Sequence, residues 1–265
     1  MTTDRLNTIL ANASERIAFV GDYHGNLHMA ELQHMRLANQ GINLTVQAGD
    51  FGFIWSKSQY NADNLNYLNK KLGLMGTTML VVLGNHENYD IIDENLGDEP
   101  WFAGDNIVIL PRAYKFKVHN LDILGVGGAP SIDRKFREPG KSWWPQEMID
   151  DSIVEKAIAF GKADVVISHD AGTLMTPKVQ QIVSHSIPDS LRDGSLEADL
   201  VHGRQQIGKV IASANPHWHI HGHYHVGDYI SYGDQINIVS LNYEARPKSC
   251  YILDTVNTQG DWGLM

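Results

Sequence analysis

The sequence predicts a layered α/β domain, and three observations carry that reading. The first half alternates short apolar runs of strand length with segments of helical spacing. The part from His217 to Asp254 is rich in strand-like runs punctuated by turn residues. No Pro- or Ser-rich linker, internal repeat or low-complexity stretch divides the two, so residues 1–265 read as a single domain.

Taken in order, Arg16–Val20 is an apolar strand running into Gly21. Residues 27–40 follow as a helix, with Leu27, Leu32, Met35 and Leu37 offering an apolar face. Leu44–Ala48 is the next strand, residues 60–72 a helix, and residues 77–83 a β-branched strand. Residues 113–119 and 121–125 read as a hairpin turning at Asn120. A helix is expected over 145–160, with Pro145 in its first turn, and a strand over 164–168. Residues 171–215 read as a long, mostly polar connection with helical stretches. Their stretch 173–204 is a lid, a dimer contact or a surface insertion. The C-terminal strands turn at Gly222, Gly233 and Arg246–Pro247.

Composition limits the function. Hydrophobic residues make up 43% and charged residues 20%, as in ordinary globular proteins. No apolar run has the length of a membrane span, and the polar first residues lack a signal-peptide pattern. The single cysteine, Cys250, fits a reducing, cytoplasmic setting and reads as a buried structural residue. A net charge of −10 argues against a large nucleic-acid surface. It does not argue against a small phosphorylated substrate, because bound cations dominate the local field of a metal pocket.

Histidine is the informative residue type. The chain has 13, and His217, His219, His221, His223 and His225 fall at alternate positions. Metal-ligand side chains follow the strands in five segments: G-D-Y-H-G (Asp22, His24), G-D (Asp50), G-N-H-E (Asn85, His86), S-H-D (His169) and G-H-Y-H (His223, His225). A strand end fixes a ligand firmly. Asp-x-His and His-x-His place two ligands on one side if the segment is extended. The glycines allow sharp turns and close approach. Mixed imidazole and carboxylate donors suit Mn, Fe, Ni or Zn better than Ca or Mg. Any one of these segments alone is more often a plain loop; all five in order, each after a strand, point to a metal site.

This ordered set resembles the calcineurin-like metallophosphoesterase superfamily, whose pattern is D-x-H, G-D, G-N-H-[DE], H and G-H-x-H. The resemblance spans residues 22–225. It implies a four-layer α-β-β-α sandwich of two mixed sheets, the metallo-dependent phosphatase fold, with metals at strand ends on one edge. It implies two divalent ions, one held by Asp22, His24, Asp50 and His225 and the other by Asp50, Asn85, His169 and His223, with Asp50 bridging. His86 would face the phosphoryl group with Asn85, either protonating the leaving oxygen or stabilising charge. The implied activity is hydrolysis of a phosphodiester, cyclic nucleotides included, or a phosphomonoester, by a metal-bridging hydroxide. The alternative is a non-catalytic binding module on the same fold. The second motif reads G-D-F-G-F-I-W over 49–55, unlike the G-D-Y-V-D-R-G of the Ser/Thr protein phosphatases. Asn88 and Tyr89 follow G-N-H-E, where the cyclic-nucleotide branch often carries His or Arg.

Several other residues have two readings. Glu87 is a hydrogen-bond acceptor that orients a ligand, in preference to a base. Asn26 serves the turn after His24. In the segment 127–145, Arg134 and Arg137 could reach a phosphate and Trp143 or Trp144 could stack on a base. Equally, the tryptophans could pack on the core and the arginines pair at the surface. Arg246 is a weaker phosphate candidate. His219 and His221 are expected to support the site, and His28, His34, His119, His185 and His202 to lie at the surface.

Overall fold

The computed structural model describes residues 2–185 and 187–263. Among them, seven strands form one mixed sheet and six another. In the first sheet, β1 (Arg16–Val20), β2 (Leu44–Ala48) and β3 (Thr78–Val82) run parallel. They are flanked by β12 (Cys250–Asp254) and β13 (Gly260–Trp262) on one side, and by β5 (Ile107–Ile109) and β4 (Trp101–Phe102) on the other. In the second sheet, β7 (Leu121–Val126), β8 (Val165–Ser168), β9 (Trp218–His221) and β11 (Asn237–Ser240) are parallel, with antiparallel β6 (Ala113–Val118) and β10 (Asp228–Ser231) at the edges.

The layers follow from which faces are apolar. Strands β1 to β3 are buried almost throughout, as expected of parallel strands covered on both sides. Ile17, Phe19, Val46, Leu80 and Val82 of the first sheet meet Phe116, Ile123, Ile167, Ile220 and Val239 of the second in the inter-sheet core. Each such side chain contributes ~1.5–3 kcal/mol on full burial. On the outer face of the first sheet, Ala18, Val20 and Val81 pack with Leu37 of α2 (Leu27–Ala38) and with Leu68 and Leu72 of α3 (Gln59–Leu74). On the outer face of the second sheet, Leu124, Val126 and Val166 pack with Val154 of α5 (Asp151–Ala159) and with Ile207 and Val210 of α7 (Leu196–Ala214). The result is the four-layer α-β-β-α arrangement.

The differences from the sequence reading have local causes. The polar N-terminus forms a helix, α1 (Thr2–Ala11), because Leu6 and Leu10, one turn apart, reach the inter-sheet core. Another helix, α4 (Tyr89–Asn95), starts directly after G-N-H-E; Asn88 caps it by accepting from Ile91 N at 3.2 Å. The helix expected over 145–160 breaks. Pro145–Glu147 is a 3₁₀ turn, and α5 begins only after Asp150, whose Oδ1 accepts from Ile153 N at 3.0 Å. The helical stretches expected within 171–215 are α6 (Pro177–Ser184) and the 19-residue α7.

Helix α2 also turns a different face inward. Met35 is exposed, while Ala30, Gln33, His34 and Leu37 are buried. His34 is therefore a core residue and not a surface one. Its Nδ1 lies 2.8 Å from Ala30 O and its Nε2 3.0 Å from Thr45 Oγ1. Burial pushes the imidazole down from 6.5 to about 4. Above pH 6.5 the ring is neutral in both states and costs nothing. As pH falls from 6.5 toward 4, only the unfolded chain takes up the proton, so folding stability is lost across that window, by on the order of 3 kcal/mol in all. Chemical denaturation at pH 7 and pH 4 is expected to show a smaller acid loss for His34→Gln than for the parent chain; equal losses would remove His34 from the acid response.

Candidate metal centre

The five motif segments all leave the C-terminal ends of parallel strands: β1, β2 and β3 in the first sheet, β8 and β9 in the second. Face-to-face packing of the sheets brings those ends to one edge of the sandwich, the position where open α/β sheets bind ligands.

The side chains form two contiguous groups. In the first, one ligand atom each from Asp22, His24, Asp50 and His225 lie within 4.8 Å of one another. His24 Nε2 faces His225 Nε2 at 2.9 Å, and Asp22 Oδ2 lies 3.2 Å from the latter. In the second, His169 Nε2 lies 3.1 Å from Asp50 Oδ1 and 3.0 Å from Asn85 Oδ1. The rings of His169 and His223 are 4.9 Å apart. Asp50 belongs to both groups, with its other oxygen, Oδ2, 3.8 Å from His24 Nδ1.

The convergence does not come from extended backbone, contrary to the alternation argument. His24 (φ 48°), Asp50 (φ 54°), His223 (φ 69°) and His225 (φ 54°) are all left-handed. This conformation is uncommon outside glycine and costs on the order of 1–3 kcal/mol where it is strained. It lets His223 and His225 serve different groups even though they are two residues apart. The glycines have a related purpose. A Cβ on Gly222 would lie 2.2 Å from Asp22 Oδ1, and one on Gly84 2.3 Å from Asp50 Oδ1. Both positions are bare because a carboxylate of the cluster packs against them.

Orientation is set from behind. His169 Nδ1 donates to Ala48 O at 2.7 Å, which leaves Nε2 for the centre. Asn85 Nδ2 donates to Ser131 Oγ at 3.0 Å, so its amide oxygen faces His169. Ser131 in turn donates to Glu147 through Oγ at 2.8 Å and through its backbone N at 2.6 Å. Burial pushes the Glu147 carboxyl up to about 7. Glu87 accepts from Phe51 N at 2.6 Å and Gly84 N at 2.8 Å, tying the Asp50 loop to the Asn85 loop. Burial, with Asp50 nearby, pushes it up to about 8. Asn26 caps α2 through Met29 N at 3.2 Å. Ser131 and Glu147 were not legible as support residues, having no spacing of their own; Tyr243, whose ring is 4.5 Å from that of His225, follows β11 without a motif.

The charge balance is compatible with a bound cation. Burial opposes a charge on His169, but Asp50 and Asp22 outweigh it and push the imidazole up to about 10. A neutral His169 could donate from only one nitrogen, yet acceptors face both. Burial likewise opposes the Asp50 charge, and His169, His86 and His24 nevertheless hold its carboxyl well below the usual range. The place that a proton takes at His169 Nε2 is one a metal ion could take, and imidazole, carboxylate and amide oxygen are suitable donors.

The remaining candidates divide. Arg137 reaches the site, with Nη2 donating to His86 Nε2 at 2.7 Å and lying 2.8 Å from Asp133 Oδ1. Its Nη1 is buried without a partner. Arg134 is instead engaged by Asp193 and Asp199 at 2.7 Å each and by Ser195. Both tryptophans are structural. Trp144 is buried and donates to Asp90, and Trp143 donates to Glu147. Arg246 is exposed and lies over the Tyr243 ring. His219 and His221 are buried, the former 2.8 Å from Ser168 Oγ through Nε2. Cys250 is buried, which pushes its thiol up to about 12.

Gly222→Ala is expected to displace Asp22 and weaken Mn or Zn binding about 10–100-fold by calorimetry, as loss of a supporting contact typically does. Unchanged affinity would show that the close approach is not needed.

Comparisons with known proteins agree with the fold. A dimetal phosphatase from Danio rerio superposes with a TM-score of 0.54 at 13% identity, over 89% of this chain and 91% of that one. A protein from Thermus thermophilus superposes with a TM-score of 0.53 at 12% identity, over 93% of this chain and 96% of that one. At such identities the likeness shows the fold alone. No curated protein sequence matches significantly. Among the described residues no helix is long and apolar enough to cross a membrane. The model of the calcineurin-like phosphoesterase family, by contrast, matches residues 15–227, most of the sequence and all five metal motifs, and the chain belongs to that family.

Proposed function

We propose that the chain is a dinuclear metal-dependent phosphoesterase acting on small phosphate esters. The observation that carries this reading is the sharing of Asp50. Its Oδ1 lies beside His169 and its Oδ2 faces His24, so one carboxylate borders two donor groups. Asp22, His24, Asp50 and His225 would hold one divalent ion, and Asp50, Asn85, His169 and His223 the other. Bound there, Mn, Fe, Ni or Zn ions would act as Lewis acids on the phosphoryl oxygens and supply an activated water.

The chain's own residues bind and orient the ester. Arg137 is the natural phosphoryl ligand, since a guanidinium whose Nη1 is buried without a partner lacks an acceptor that an anionic oxygen would provide. His86 is about one-third exposed, open to substrate, and its backbone N–H is fixed on Asp50 Oδ1 at 2.8 Å. Burial, together with the Arg137 charge and despite Asp50, pushes its ring below the usual imidazole range. With Nε2 accepting from Arg137, His86 carries its N–H on Nδ1, from which it can donate a hydrogen bond that stabilises charge on a leaving oxygen. Phosphodiesters are favoured over protein substrates, because the protein-phosphatase sequence is missing at 49–55.

Purified protein supplied with Mn, Ni or Zn is expected to hydrolyse p-nitrophenyl phosphate or its bis ester, and a chelator to abolish the activity. Asp50→Asn should lower kcat at least about 100-fold, because it removes the shared charge. Activity that survives both treatments would refute the reading. Arg137→Ala is expected to cost about 10²–10³ in kcat/KM, with partial recovery in Arg137→Lys. Full activity in the alanine variant would remove Arg137 from the site.

A further inference from the structure

The metal centre stands between two cavities of different character. On one side, His24, Trp55, Asn61, Asn64 and His86 border a cavity of about 340 Å³. On the other, His223, Tyr224 and His225 border one of about 500 Å³. Aliphatic side chains wall the second: Ile132 after β7, Ile182 on α6, and Leu200 and Val201 on α7. Ile132 is 43% exposed, Ile182 46% and Val201 45%. Single exposed aliphatic residues need no explanation, but several around one mouth mark a binding surface. The polar groups on this wall have partners. Glu197 lies 3.4 Å from Arg192, and Arg204 is close to Asp170 and Tyr224.

A phosphomonoester carries one organic substituent, whereas a phosphodiester carries two. Resting on the phosphoesterase reading above, we infer that the substrate is a phosphodiester with an apolar substituent, and that this substituent lies in the cavity formed by Ile132, Ile182, Leu200 and Val201. The polar segment between β8 and β9 is then the specificity element. Continuity with the metal centre argues for this occupant, because His223 and His225 belong to both. The leaving group lies on the His86 side. Water's oxygen bonds to phosphorus, the P–O bond to that group breaks, and the departing oxygen takes up the proton that the water releases. The apolar group stays on the monoester product.

The test holds the leaving group constant. Methyl, butyl and hexyl p-nitrophenyl phosphates differ only in the retained substituent. With Mn-loaded protein, kcat/KM is expected to rise at least about tenfold from methyl to hexyl. Val201→Asp, on an exposed part of α7, should bring that ratio close to one, and so should Ile132→Asn on the other wall. Both variants are checked for folding by thermal melting. A wild-type ratio near one, or a ratio unchanged in both variants, would overturn the inference while leaving the phosphoesterase reading intact. Failure to turn over any of these esters or p-nitrophenyl phosphate with any metal would overturn that reading and this inference with it.

Discussion

Two carboxylates, Asp22 and Asp50, are almost wholly buried at one edge of a sandwich whose inter-sheet core is apolar. Removing such charges from water costs several kcal/mol each unless they are paired. Much of the local structure answers that cost. Imidazoles converge on both groups, backbone N–H groups of Asn85 and His86 donate to Asp50 Oδ1 at 2.9 and 2.8 Å, and His223 N lies 3.2 Å from Asp22 Oδ2. The left-handed backbone at His24, Asp50, His223 and His225 is strain incurred in the same arrangement. The three apolar cores supply the stabilisation that offsets it.

That constraint explains which parts of the molecule could be read from sequence. The central strands were legible because they are covered on both faces and so are largely apolar, and because Gly21, Gly49, Gly84 and Gly222 mark where they give way to the loops of the candidate centre. The convergence of Asp22, His24, Asp50, Asn85, His169, His223 and His225 at one edge could be anticipated because each follows the end of a strand in the sequence. What failed was the geometric reason. Period-two alternation supposes extended backbone, whereas these loops turn through left-handed residues. That conformation is imposed by tertiary packing, against local preference.

The misjudged elements share a cause as well. Helix α1 has too few apolar residues to be evident, yet Leu6 and Leu10 suffice once a core is there to receive them. His34 looked like a surface residue because polarity was read as exposure, and its polar neighbour Gln33 is buried too. Their partners, Tyr23 and Thr45 for His34 and Tyr23 and Ser249 for Gln33, come from other elements of the fold. Arg134 and Arg137, three residues apart, had equal claims on a phosphate. Only the fold separates them, by bringing Asp193 and Asp199 to one and His86 to the other.

Anomalous diffraction from crystals of the metal-loaded protein, collected on both sides of the absorption edge, addresses the shared-carboxylate arrangement most directly. Two peaks about 3.5–4 Å apart, with Asp50 between them, are expected. One peak, or peaks distant from Asp50, would contradict the arrangement on which the proposed chemistry rests.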